Sequence, residues 1–277
     1  MSQPQTETAA GRWAEALAAW AIPQQILDAA PEGTPWRFPP AVFAWTPERA
    51  ASERSTVTAS RQRALEALPE GGTLLDVGAG GGRASLPLAP PAALVVAVDP
   101  SAELLAAFAE AAERERVAHR TVQGQWPAVA AQVEPQDVVV CHHVFYNVAD
   151  LPPFAEALSG HARRRVVVEL TAQHPASNLN RAWRELHGLE RPTTPTADDA
   201  IAVLEEMGLD VHWEESERLA APTHRSRAEV IAFTRLRLCV GADRDAEIDV
   251  LLGPEHESAL RRVVTVWWDG EAAGAAP

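Results

Sequence analysis

Three groups of side chains in this sequence have the types and spacing that chemistry needs. The first is the turn Leu75-Asp76-Val77-Gly78-Ala79-Gly80-Gly81-Gly82-Arg83. An apolar strand running into a glycine turn and then a helix presents backbone N–H groups to a polar or anionic ligand. The second is Asp99, which ends the apolar run Leu94-Val95-Val96-Ala97-Val98, lies 21 positions beyond Gly78 and is followed by Pro100. A carboxylate at that distance accepts hydrogen bonds from both hydroxyls of a ribose. The third is a polar series in two parts, Cys141-His142-His143-Val144-Phe145-Tyr146 and then Glu169-Leu170-Thr171-Ala172-Gln173-His174, continuing through Asn178, Asn180, Arg181, Arg184 and His187. A neutral imidazole can take a proton from a hydroxyl, so His142, His143 and His174 are the candidate catalytic bases, with packing at a strand end as the alternative for each.

The spacing within the turn separates two kinds of nucleotide ligand. A dinucleotide turn needs glycine or alanine at the sixth position from Gly78, and Arg83 stands there, so the pattern is G-x-G-x-G ending at Gly82. A glycine turn that merely joins strand to helix is the alternative; Asp99 at its distance argues against it. The run hydrophobic-hydrophobic-Asp-hydrophobic-Gly-x-Gly-x-Gly resembles motif I of the class I S-adenosylmethionine-dependent methyltransferases. The similarity extends from about residue 72 to residue 170 and more loosely to residue 217.

That resemblance implies a cofactor, S-adenosyl-L-methionine, leaving as S-adenosyl-L-homocysteine, with no metal. It implies that Asp76, Gly78, Ala79 and Gly80 line the methionine end, with Asp76 near the ammonium group. Asp99 and Pro100 meet the ribose, and Cys141 and His142 border the reacting methyl. After the third strand the family often reads Gly-Asp-Ala, whereas this chain has Gly124-Gln125-Trp126-Pro127. Gln125 can offer its amide oxygen to the adenine; Trp126 either stacks on the ring or covers the core. Amino-methyltransferases of the nucleic-acid or glutamine type carry Asn/Asp-Pro-Pro-Tyr where this chain has Cys141-His142-His143-Val144, which disfavours that subclass. Methyl transfer is a one-step displacement in which positioning alone can supply ~7–11 kcal/mol, so a dedicated base is optional.

The acceptor is expected to be a small molecule, with Trp36, Phe38, Tyr146, His174 and Arg181 as its candidate binding residues. Trp36 and Phe38 lie in a proline-rich stretch at residues 31–40 that reads as part of a lid, together with Phe43 and Trp45. Arg181 or Arg184 would suit an acceptor carboxylate; a solvated helix face is the alternative for both. A non-catalytic binding protein and a protein or RNA methyltransferase remain the competing readings.

Composition narrows the classes further. With 277 residues, 47% of them hydrophobic, the chain suits one well-filled α/β domain with additions. The formal net charge of -14 argues against DNA as a partner, because duplex binding needs a basic face. All 24 basic residues are arginine, which excludes Schiff-base lysine chemistry and a P-loop. The two cysteines, Cys141 and Cys239, sit in apolar segments and read as buried thiols. No apolar run approaches the ~20 residues that span a bilayer, and the first residues lack a secretory pattern, so no membrane partner and a cytoplasmic location are expected. Oligomeric state is not encoded in any pattern.

Positioning these groups requires a doubly wound, mostly parallel seven-stranded α/β sheet flanked by helices, with an N-terminal helical cap. Short β-branched runs place strands at residues 73–77, 94–99, 119–123, 137–141, 165–170, 210–215 and 263–268. Trp13, Leu17 and Trp20 form one helical stripe, and Thr46-Pro47-Glu48 opens a helix expected to reach residue 68. Further helices are expected at residues 197–207, ended by Gly208, and across residues 225–252. The organisation reads as a cap at 1–70, a cofactor-binding core at 71–217, and a helical insertion with a last strand at 218–277.

Overall fold

The structure is a computed structural model that describes residues 8–31, 35, 45–46, 50–51, 54–219, 226–253 and 260–270. Seven strands build one sheet: β1 (Thr73–Val77), β2 (Leu94–Asp99), β3 (His119–Gln123), β4 (Gln136–His142), β5 (Ala162–Thr171), β6 (His212–Leu219) and β7 (Leu260–Asp269). Their order is β3-β2-β1-β4-β5-β7-β6, parallel from β3 to β5, with β7 antiparallel to both of its neighbours. The chain reverses its direction of winding between β1 and β4, the place where open α/β sheets hold ligands at their carboxyl edge. Runs such as Val138-Val139-Val140 are apolar without alternation because both faces of a parallel sheet are covered.

The helices are α1 (Ala9–Ala18), α2 (Gln24–Ala29), α3 (Ala59–Ala67), α4 (Ala102–Arg114), α5 (Leu151–Gly160), α6 (Asn180–His187), α7 (Ala197–Glu206), α8 (Arg227–Leu238) and α9 (Asp245–Leu252). On one face of the sheet Leu75, Val139 and Val168 meet Trp13 of α1, Leu158 of α5 and Leu204 of α7. On the other, Leu74, Val140 and Val167 meet Ala64 of α3 and Phe108 of α4. The N-terminal helices are therefore layers on opposite faces of the sheet. A smaller core of Ile22, Leu179, Trp183, Leu238 and Ile248 joins α6, α8 and α9.

Four departures from the sequence reading have local causes. Residues 56–58 are not helical, because the run Thr56-Val57-Thr58 is β-branched and Thr58 caps a new helix by accepting the Arg61 N–H at 3.2 Å. Trp20 lies beyond the end of α1, so it leaves the stripe of Trp13 and Leu17. The expected helix at 225–252 breaks into two at Cys239, whose φ of 57° ends α8 in the left-handed region. No α-helix follows the glycine turn: one short 3-10 turn, Leu86–Leu88, takes its place, since Pro87, Pro90 and Pro91 have no N–H to continue a helix. The Trp36, Phe38 and Phe43 readings and the tail beyond residue 270 lie outside the described residues. Among those described, no helix is long and apolar enough to cross a membrane.

Trp268 and Trp267 face opposite sides of β7. Trp268 is buried on the α5 face, its indole N–H donating to Ser159 Oγ at 2.8 Å. Trp267 lies half-buried beneath the Arg63 guanidinium, 4.7 Å from the ring centre. Trp268→Ala is expected to cost about 3–5 kcal/mol of stability, as large core truncations do, and Trp267→Ala clearly less; urea unfolding midpoints of the two variants measure the difference.

Candidate functional site

The glycine turn is latched to the end of β2. Gly78 and Ala79 both donate to the Val98 carbonyl, at 2.8 and 3.1 Å, and Gly82 donates to Ala79 at 2.8 Å. The Gly80 N–H reaches Asp99 Oδ2 at 3.0 Å, and the other Asp99 oxygen accepts the Ser101 N–H at 2.8 Å. The turn therefore spends these amides on itself, unlike the outward-pointing donors expected from a strand–turn–helix. Gly82 has φ of 89°, and a Cβ there would lie 2.7 Å from Leu86 Cδ1 and 2.8 Å from Phe108, which gives the third glycine its physical reason. Gly78 is equally constrained, because Val144 packs directly on its Cα.

Two carboxylates stand at this edge with acceptor capacity left over. Asp76 is fully buried; Oδ2 accepts the Ser85 hydroxyl at 2.5 Å, while Oδ1 has no partner. Burial raises its pKa to about 7, against the lowering effect of the Ser85 bond. Asp99, 6% exposed, has used one lone pair on each oxygen, so two of its roughly four acceptor sites remain. Pro100 and Gln125 are exposed beside them. Two expected cofactor contacts are not formed by side chains. Cys141 is fully buried in the α1/α5/α7 face, where burial pushes its thiol pKa up. Trp126 belongs to the same core, donating to the Phe154 carbonyl at 3.4 Å and meeting His161 edge-on. It is a core cover, and Gln125 alone of that pair faces outward.

At the ends of β4 and β5 a buried carboxylate gathers four elements. Glu169 is 3% exposed; it accepts the Ser60 hydroxyl from α3 at 2.6 Å, pairs with His143 Nε2 at 3.1 Å and is ion-paired to Arg218 of β6. The His143 N–H also donates to the Glu169 carbonyl at 2.6 Å, with His143 at φ of 59°. Burial alone would raise the Glu169 pKa, but the His143 hydrogen bond and the Arg218 charge hold it well below the usual range. His142 projects into the same place, lining a cavity of about 30 Å³ with Thr58, Arg83 and Arg218. Its Nε2 is buried without a partner, and burial lowers its pKa to about 4, so the ring is neutral at pH 7.

His174 is elsewhere. Trp20 stacks on it at 3.9 Å, Tyr146 meets it edge-on at 5.2 Å, and Trp13 stacks on Tyr146 at 5.7 Å. The Ala176 N–H donates to His174 Nδ1 at 3.2 Å, which leaves the neutral ring's proton on Nε2. Burial, with the charges of Arg237 and Arg191, lowers its pKa to about 4. The Tyr146 hydroxyl donates to the Thr171 carbonyl at 2.8 Å, and burial raises its pKa. Neither group is set up to take a proton. Beside them opens a cavity of about 330 Å³ lined by Thr171, Gln173, His174, Asn178, Arg261 and Arg262, among others.

The structure thus joins His142 and His143 to Glu169, and Tyr146 to His174, but separates Arg181, which lines another cavity of about 90 Å³ with Leu238 and Ile248. The arginines at the larger cavity are Arg261 and Arg262, which the sequence reading missed along with Ser60 and Arg218. Their one signal was the charged pair Arg261-Arg262 leading directly into the apolar run of β7.

Comparison with known proteins bears on this edge. The methyltransferase-domain family model matches residues 49–214. No curated protein matches the chain in sequence. Among solved structures, the YcgJ protein of Bacillus subtilis is 14% identical, covering 76% of this chain and 97% of its own, with a TM-score of 0.51. A structure described by the conversion of a disulfide bond into a thioacetal group during echinomycin biosynthesis is 17% identical, covering 89% of this chain and 92% of its own, also with a TM-score of 0.51. Magnesium protoporphyrin IX methyltransferase from Synechocystis PCC 6803, with S-adenosylhomocysteine bound, is 15% identical over 80% of this chain and 93% of its own, with a TM-score of 0.46. At such identities the likeness is one of fold.

The Glu169 cluster has a pH signature. A carboxylate whose folded pKa is depressed adds stability above its unfolded pKa, about 4.3, and loses it as pH falls through the lower folded value. Glu169→Gln should therefore lower the melting temperature at pH 7, and the gap from the parent protein should narrow on acidification below about pH 4; thermal scans across pH 3 to pH 7 measure it.

Proposed function

The chain belongs to the methyltransferase-domain family, and from that premise we propose that it transfers the methyl group of S-adenosylmethionine to a small-molecule acceptor at the carboxyl edge of β4 and β5, beside the amino end of β7. Transfer of a methyl group from S-adenosylmethionine is the family's chemistry; the acceptor class and the residue roles are our reading. The observation that carries it is the pair of strand-end carboxylates with unused acceptor sites, on the same sheet edge as a 330 Å³ cavity. An α-ammonium group needs a nearby anion, and Asp76 Oδ1 is buried without a partner. A ribose needs paired acceptors, and Asp99 has them left. The residues present fit the cofactor on both counts.

When bound, S-adenosylmethionine supplies a methyl group made electrophilic by its sulfonium. In this reading Asp76 and Asp99 hold the two ends of the cofactor, and Gln125 offers its amide to the adenine. Val144, seated on Gly78, forms the floor between the cofactor and β4. Thr171, His174 and Tyr146 orient the acceptor through polar and aromatic contact, and the stack from Trp13 and Trp20 keeps water from that side. His142 has a buried nitrogen without a partner, but it lines the small cavity beside Glu169 and not the acceptor cavity, so it is not assigned the acceptor's proton. With its pKa lowered to about 4 it is a weak base, so alignment supplies most of the rate.

Asp76 gives the reading a distinctive test. Pairing with an ammonium group requires the ionised carboxylate, but burial holds the free protein's Asp76 half protonated near pH 7. Affinity for S-adenosylhomocysteine should therefore fall as pH drops below about 7, by up to about tenfold per unit while that proton must leave. Asp76→Asn should bind more weakly at pH 8 and lose most of this dependence. Calorimetric titration across pH 5.5 to 8.5 is the measurement; no binding by the folded parent protein at any pH would sink the proposal, and transfer of a labelled methyl group to small molecules of a metabolite extract would support the acceptor class.

A further inference from the structure

Arginine charge converges on the acceptor cavity of a chain whose formal net charge is -14. Arg261 and Arg262 line it directly. Arg262 is neutralised by both oxygens of Glu215, at 2.6 Å for the Nη2 contact, so its charge is already met. Among the described residues Arg261 has no such carboxylate. None of the described residues lining the cavity is acidic, while Gln173, Ser177 and Asn178 add neutral polar groups.

A guanidinium that lines a cavity without a carboxylate partner, among neutral polar groups, offers charge-assisted hydrogen bonds to a ligand anion. Resting on the methyltransferase reading above, we propose that the acceptor carries a carboxylate, bound at Arg261. A planar carboxylate matches the two-pronged donor face of one guanidinium, which lysine cannot reproduce. Arg261 is a positioning and specificity residue in this scheme: it fixes one end of the acceptor and takes no part in bond making.

The test uses the full chain saturated with S-adenosylhomocysteine and titrates it with benzoate and with its neutral isostere benzamide, following tryptophan fluorescence, since Trp20 stacks on cavity-lining His174. Benzoate should bind and benzamide bind at least about tenfold more weakly, a difference of about 1.4 kcal/mol. Arg261→Gln should remove the preference, Arg261→Lys should retain part of it, and neither should alter S-adenosylhomocysteine affinity; Arg261 is exposed on β7, so both variants should fold. Equal binding of the two probes, no binding of benzoate, or an unchanged preference in Arg261→Gln would overturn the proposal. Failure of S-adenosylhomocysteine to bind, with benzoate still preferred, would instead count against the methyltransferase reading alone.

Discussion

Glu169, two residues before the end of β5, carries a charge that has almost no water to meet. Removing a carboxylate from solvent costs several kcal/mol unless its neighbours supply matched donors. Here they come from three separate stretches of chain: Ser60 in α3, His143 after β4 and Arg218 in β6. The helix on one face, the loop after the central strand and the far strand of the sheet therefore cannot shift independently without stranding that charge. Because β6 reaches β5 only through the antiparallel β7, fixing Arg218 also fixes its register partner Arg261, which opens on the acceptor cavity.

The cofactor edge obeys a related constraint on a smaller scale. Asp99 accepts Gly80 and Ser101, and Asp76 accepts Ser85, so each carboxylate is anchored by the chain while keeping acceptor capacity in reserve. An anchored but incompletely satisfied carboxylate is preorganised for a ligand, because no side chain has to be ordered on binding. The elevated pKa of Asp76 is the cost of that arrangement in the free protein.

Much of this architecture was legible from local pattern. Strands β1, β2 and β3 fall at the expected bounds, since β-branched runs ended by Gly, Asp-Pro or Gln-Gly carry both the propensity and the stop signal. Gly82 was recognisable as the third glycine, and the close approach of Leu86 and Phe108 explains why no larger residue stands there. The helix expected after the turn failed because three prolines outweigh an apolar pattern. Trp126 was ambiguous because an indole buries equally well against a ligand or a core; only the position of the Phe154 carbonyl decided between them. Arg181 looked suitable because it is near His174 in sequence, yet α6 directs it to a different cavity. Arg261 was invisible for the opposite reason: the antiparallel return of β7 brings it back from almost ninety residues away, and antiparallel register is not written in either strand alone.

A crystal structure of the complex with S-adenosylhomocysteine tests the whole arrangement most directly. The ligand's ammonium group should lie within hydrogen-bond distance of Asp76 Oδ1 and its ribose hydroxyls on Asp99, with the sulfur facing the cavity between Thr171, His174 and Arg261. A ligand bound away from these two carboxylates, or one whose sulfur points away from that cavity, would contradict it.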